Sequence, residues 1–136
     1  MPWEVKIHRE IQIIETCYSG YLLPVELNAA VIETADQIRA HGIGRLLGDC
    51  TALKGGHSVI DLHYLAAAFA SSNLGGTIKE AVLLPKLPGP QEDVKFWEEE
   101  CAKRGMRVRV FEDRDTAVEW LLEHDDMADK TAEVVC

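Results

Sequence analysis

The feature that most constrains this chain is the regular alternation of short strand-like runs with helical repeats. Residues 3 to 9 (WEVKIHR) and 11 to 18 (IQIIETCY) show partial period-two alternation and lie close enough to form a hairpin. After them, Pro24 suits a first helical turn, and Leu27, Val31, Ala35 and Ile38 recur at helical spacing until Gly42, which predicts a helix over 24–41. "GRLLGDC" reads as a short apolar strand, and Gly55 and Gly56 supply a bend before a helix over about 58–72. "EAVLLP" follows as a buried strand ended by Pro85. Pro85 and Pro88 have the spacing of a proline-rich ligand, but lie where a strand-to-helix loop is required.

Residues 91 to 104 carry Val94, Trp97 and Cys101 on one stripe, with Glu98, Glu99 and Glu100 expected in solvent. "MRVRVF" is the last strand, with Val108 and Val110 facing one way and Arg107 and Arg109 the other. "RDTAVEWLLEH" is the last helix, capped by Asp113, by Asp115, or through the Thr116–Glu119 spacing. The order β-β-α-β-α-β-α-β-α predicts an α/β fold with a mixed, mostly parallel sheet flanked by helices. Residues 1–124 form one domain on this reading, and the acidic 125–136 segment is a flexible tail.

Charge and composition narrow the function. With 14 basic and 23 acidic residues among 136, the net charge is −9, which repels nucleic-acid backbones and anionic lipid headgroups. The cysteines at 17, 50, 101 and 136 lack zinc-type spacing and read as reduced thiols of a cytoplasmic protein. "MPWEVKIHRE" has charges where a signal peptide needs an apolar run. "AAAFA" and "AVLLP" are far shorter than the ~20 residues of a membrane span, so no transmembrane segment is expected and any membrane contact is peripheral.

The stretch "RLLGDCTALKGGHSVIDLHYL" gathers the polar candidates. Asp49 stands near the carboxyl end of a parallel strand, where α/β sites form, and equally suits a turn closed by loop amides. Ser58 and Asp61 have the spacing of a helix cap, and an N-cap serine also lies where a phosphate meets free backbone amides. His57, Asp61 and His63 do not share one helical face, so no metal site is assigned. No nucleophile elbow, P-loop, dinucleotide fingerprint or zincin motif is present, so no catalytic residue and no cofactor are assigned. In "SVIDLHYLAAAFASS", Leu62, Leu65 and Phe69 can face the sheet. Ile60, Tyr64 and Ala67 form a second apolar side that a neighbouring helix, a second copy, a protein partner, a lipid or another apolar molecule could cover.

The order of elements, the segment "LLGDCTALKGGHSVIDLHYL" and the ending "VRVFEDRDTAVEWLL" together resemble the STAS superfamily, in particular its SpoIIAA-like branch of small bacterial proteins, over residues 3–123. The resemblance implies a non-catalytic regulatory module like the anti-sigma-factor antagonists, whose partner kinase phosphorylates an Asp-Ser-Ser/Thr-Gly motif. Asp49-Cys50-Thr51 looks like the preceding strand end, and Gly56-His57-Ser58-Val59 stands where that motif would be, without its Asp and its following Gly. On this resemblance Ser58 and then Thr51 are the phosphoacceptor candidates, with Asp49 and His57 in the switch loop. The SpoIIAA-like core also resembles lipid-binding domains of the Sec14 or CRAL-TRIO type, which implies as an alternative a carrier of a lipid or other apolar ligand.

Overall fold

Period-two alternation in five strands decides how the sheet is covered on its two sides. The structure is a computed structural model that describes residues 2–71 and 78–123. The predicted tail at 125–136 and the last position of the helix predicted over 58–72 lie outside the described residues. Strand β1 (Trp3–His8) pairs antiparallel with β2 (Ile13–Tyr21), from Trp3 opposite Tyr18 to His8 opposite Ile13. Helix α1 (Pro24–His41) has proline in its first turn, and Glu26 Oε1 accepts the Leu23 amide at 2.9 Å. It ends at Gly42, whose φ of 65° is the left-handed conformation that glycine reaches without strain.

The chain continues through β3 (Arg45–Gly55), α2 (Val59–Ser71), β4 (Lys79–Leu83), α3 (Pro88–Lys103), β5 (Arg107–Phe111) and α4 (Arg114–Leu122). The strands lie in the order β1-β2-β3-β4-β5, and every pairing after the hairpin is parallel. This is the mixed, mostly parallel α/β sheet that the alternation predicts. Ile14, Leu46, Cys50 and Val82 face α1, α2 and α3, meeting Ile38, Leu62, Leu65, Val94 and Cys101. Three crossover helices on one face are what connections of a single hand require when successive strands step in one direction. Ile13, Leu47, Ala81, Leu83 and Phe111 face the other way, against Ala117 and Leu121 of α4.

Several sequence expectations need correction. Helix α3 begins at Pro88 rather than at 91, because prolines at 88 and 90 fit a first turn, whose amides need no acceptor within the helix. β3 extends to Gly55 rather than ending near Cys50, because residues beyond Asp49 lose β4 as a partner but still pair with Ser19, Gly20 and Tyr21 of β2. Glu100 is buried rather than solvated. Its carboxylate takes Arg104 at 2.6 Å, His63 at 3.1 Å and Lys103 at 3.3 Å, and the Arg104 guanidinium above all holds it down at about 2. Glu98 is likewise engaged, accepting the Val110 amide of edge strand β5 at 2.8 Å, which satisfies a donor that an edge would otherwise leave open.

Candidate functional site

The polar residues of the strand-to-helix stretch do not converge on one bend. Between Cys17–Asp49 and Ser19–Ala52 the β2–β3 register slips by one residue, a bulge on β3. The bulge turns the Thr51 amide out of the ladder, and Asp49 Oδ1 accepts it at 3.0 Å together with the Thr51 hydroxyl at 2.7 Å. Asp49 therefore closes a local turn within the strand, and its other oxygen lies 3.5 Å from Arg114 on the α4 side of the sheet. His57 lies with the opposite layer, against Leu22 of the β2–α1 loop and Asp93 of α3.

Ser58 is exposed and caps α2. Its amide and hydroxyl both donate to Asp61 Oδ2 at 2.8 Å, and its Oγ accepts the Asp61 amide at 3.3 Å. This is the reciprocal box that the Ser-x-x-acid spacing predicts, and it holds the Asp61 carboxyl below its usual range. Farther along α2, Leu62, Leu65 and Phe69 are buried, whereas Ile60 and Tyr64 are 63% and 69% exposed and Ala67 is half-buried. The two-sided apolar character of the helix is thus real, and its outer side has no cover among the described residues.

Beneath α2 lies a cavity of about 80 Å³, several times the ~15 Å³ that one water requires. Its wall is mostly apolar, with Leu22, Leu53, Leu62, Leu65, Phe69 and Val94 contributing from the loop, β3, α2 and α3. Besides the Thr16–Thr34 hydroxyl pair, bonded to each other at 2.9 Å, and the thiols of Cys50 and Cys101, four polar groups break that wall. His57, whose side chain is 3% exposed, sits with Nδ1 3.3 Å from the Leu22 carbonyl and Nε2 3.9 Å from Asp93. Burial pushes the Asp93 carboxyl up. Tyr18 is raised well above its usual range by burial, with Cys50 and Glu80 near it. Glu80 is the fourth. Trp97 Nε1 donates to its Oε1 at 2.9 Å, and burial pushes its carboxyl up to about 6.

Sequence reasoning passed over Glu80, yet a signal was there. In "KEAVL" it shares its face with Val82, so a carboxylate points to the same side as core residues in a strand that reads as buried. Gly48 makes room beside it. A Cβ at Gly48 would lie 3.9 Å from Glu80 Oε2 and 3.8 Å from Val82 Cγ2.

On the opposite face, ligand atoms of Glu15, Cys17 and Asp49 lie within 4.8 Å of one another. Those groups are already engaged. Glu15 accepts from Arg114, His8 and Cys17. The Cys17 thiol is pushed up to about 11 by burial and by the Glu15 carboxylate, which disfavours the thiolate that a metal would need. Cys50 and Cys101 are free and buried, and burial raises both thiols beyond the reach of neutral pH. No helix among the described residues is long and apolar enough to cross a membrane.

An antiparallel hairpin leading into three parallel crossovers, with α1 to α3 on one face of the sheet and α4 on the other, is a SpoIIAA-like fold. A solved protein of that fold is similar to most of this chain: an uncharacterized protein of the DUF3478 family from Shewanella loihica PV-4. It is 19% identical, with a TM-score of 0.54 over 88% of this chain and 91% of that one. At such identity the likeness is one of fold. No family model and no curated protein matches the chain.

Proposed function

We propose that this chain works by binding rather than by catalysis, and that it holds a small, mainly apolar molecule in the cavity beneath α2. The observation that carries this reading is the cavity itself, an apolar space with a few converging polar groups, which is how small-molecule sites are generally built. Its imidazole, His57, meets a backbone carbonyl rather than a hydroxyl or thiol that it could activate, which supports binding over nucleophilic chemistry. A cytoplasmic carrier in transient contact with a membrane fits the same reading. Native mass spectrometry of freshly purified, untagged protein tests it. A bound small mass that is lost in Leu65→Trp, where the larger side chain fills the space, is the expected result. A consistently empty protein whose cavity-lining amide resonances ignore added apolar probes would overturn it.

A second reading rests on Ile60 and Tyr64, the exposed apolar pair on α2. They suit a protein partner or a second copy of this chain, with Ser58 as the regulatory position at the edge of that surface. A phosphate on Ser58 would bring ~1.5–2 negative charges against Asp61, which already takes the Ser58 amide and hydroxyl, and would open the first turn of α2. Sedimentation across a concentration series should show a dimer that Tyr64→Ser and Ser58→Asp both weaken without changing the melting temperature by more than a few degrees. A monomer at every concentration would remove self-association.

A further inference from the structure

The cavity wall has an unbalanced charge. Among the described residues its titratable groups are Glu80, Asp93, His57, Tyr18, Cys50 and Cys101, and no lysine or arginine lines it. Glu80 is part-buried in that wall, and its Oε1 is taken by Trp97. Its Oε2, on the side kept open by Gly48, has no hydrogen-bond partner among the described residues, and neither does the Tyr18 hydroxyl. A carboxylate withdrawn from part of its water, with no cation beside it in a mostly apolar wall, gives up hydration that the wall does not return.

Ligand classes separate on that basis. A fatty acid or a phosphate headgroup would bring a second negative charge next to Glu80 and Asp93 in a poorly screened space. An alcohol could donate a hydrogen bond to Glu80 but would leave its charge uncompensated. A protonated amine supplies donor and charge together, the stronger kind of hydrogen bond, while an alkyl body fits the leucines, Phe69 and Val94 of the wall.

From this geometry we infer that the cavity takes an aliphatic primary amine, its ammonium group against Glu80 and its chain among the apolar side chains under α2. The inference rests on the small-ligand reading above. At ~15 Å³ per water-sized position, the space of about 80 Å³ accepts a body of roughly butylamine size.

The test compares n-butylamine, n-butanol and butyrate at pH 7.5, following cavity-lining amides by two-dimensional NMR on the full chain. Butylamine should bind at least tenfold more tightly than butanol, and butyrate should not bind. Glu80→Gln should abolish the preference for amine over alcohol, whereas Asp93→Asn should retain it. A wild-type protein that takes butanol as well as butylamine, or a Glu80→Gln variant that keeps the preference, overturns the amine assignment while leaving an apolar-ligand site standing. If neither probe shifts the cavity resonances, the ligand site itself is wrong. Should Glu80→Gln fail to fold, the ¹³C carboxyl titration of Glu80 in the wild-type protein decides. Butylamine must lower its midpoint where butanol does not, and an unmoved midpoint rejects the contact.

Discussion

Arg114 Nη2 donates to Glu15 Oε1 at 2.6 Å, joining the start of the last helix to the second strand across 99 residues of chain. Glu15 is almost fully buried, and it also meets His8 Nε2 at 2.8 Å and the Cys17 thiol at 3.3 Å. Burial alone would raise its carboxyl, but Arg114, His8 and Cys17 together outweigh burial and hold it below the ordinary range. The nine-residue α4 is too short to be stable alone. It depends on this clasp, on Asp113 capping the Thr116 amide at 2.9 Å, and on the burial of Ala117 and Leu121.

Replacing Arg114 with alanine leaves Glu15 buried with a weaker partner. We expect a loss of about 1–3 kcal/mol at pH 7, toward the lower end because the arginine itself is half exposed. Glu15 has a lowered folded-state pKa, so its contribution is present above its unfolded value near 4.5 and fades as pH falls through the folded value. Denaturant melts of wild type and Arg114→Ala should therefore differ most at neutral pH and converge as pH falls below the folded-state value of Glu15. A constant gap across that range would mean that lost packing, and not the ion pair, accounts for the effect.

Gly56 is the point where the β2–α1 and β3–α2 loops touch. Its φ is 105°, and a Cβ there would lie 2.7 Å from the Leu22 amide nitrogen and 2.8 Å from the Leu22 carbonyl oxygen. Gly56→Ala combines an unfavourable backbone conformation with a clash against main chain that cannot move aside. Thermal melts should show a destabilisation of about 2 kcal/mol or more. The Leu22 amide bond to Gly55 and the His57 contact with Leu22 should loosen with it, read as faster amide exchange at Leu22. A variant as stable as wild type would mean that the loops can separate freely.

Glu80 gives stability the opposite pH dependence from Glu15. Its folded-state value of about 6 exceeds the 4.5 of the free side chain, so between those values the folded protein binds more protons and stability falls as pH rises. Glu80→Gln keeps an acceptor for Trp97 without the charge. It should match wild type near pH 4 and exceed it above pH 7 by at most about 2 kcal/mol. The comparison is a difference between two proteins, which cancels the contributions of Glu15 and Glu100. An unchanged difference at both pH values would show that Glu80 is well hydrated in the ligand-free protein.

Local rules made much of this molecule legible. The limits of α1, its stop at Gly42, the Ser58–Asp61 box and the two apolar sides of α2 all depend on residues within a turn or two of one another, whereas the start of α4 had three candidate caps, of which Asp113 is the one used. Boundaries were less legible where another strand decides them. Thr51 to Gly55 read as a loop because the segment is short and runs into the Gly55–Gly56 pair, yet the exposed length of β2 gives it a partner.

The candidate site was harder still. Asp49 and His57 are eight residues apart and looked like members of one bend, but the pleat and the bulge at Thr51 send the aspartate toward α4, while the histidine meets Leu22 and Asp93 in the other layer. Glu80, Tyr18 and Asp93 belong to β4, β2 and α3 and meet only because those elements enclose one cavity.

The sequence by itself determined the alternation of elements, the sheet they build and both ends of α1, because capping, helical periodicity and pleating act over a few residues. Tertiary structure alone decided which charges are buried, that Arg114 answers Glu15, and that a carboxylate lines an apolar space beneath α2. Burial and electrostatic partnership are properties of distance in space, and along the chain those partners lie tens of residues apart.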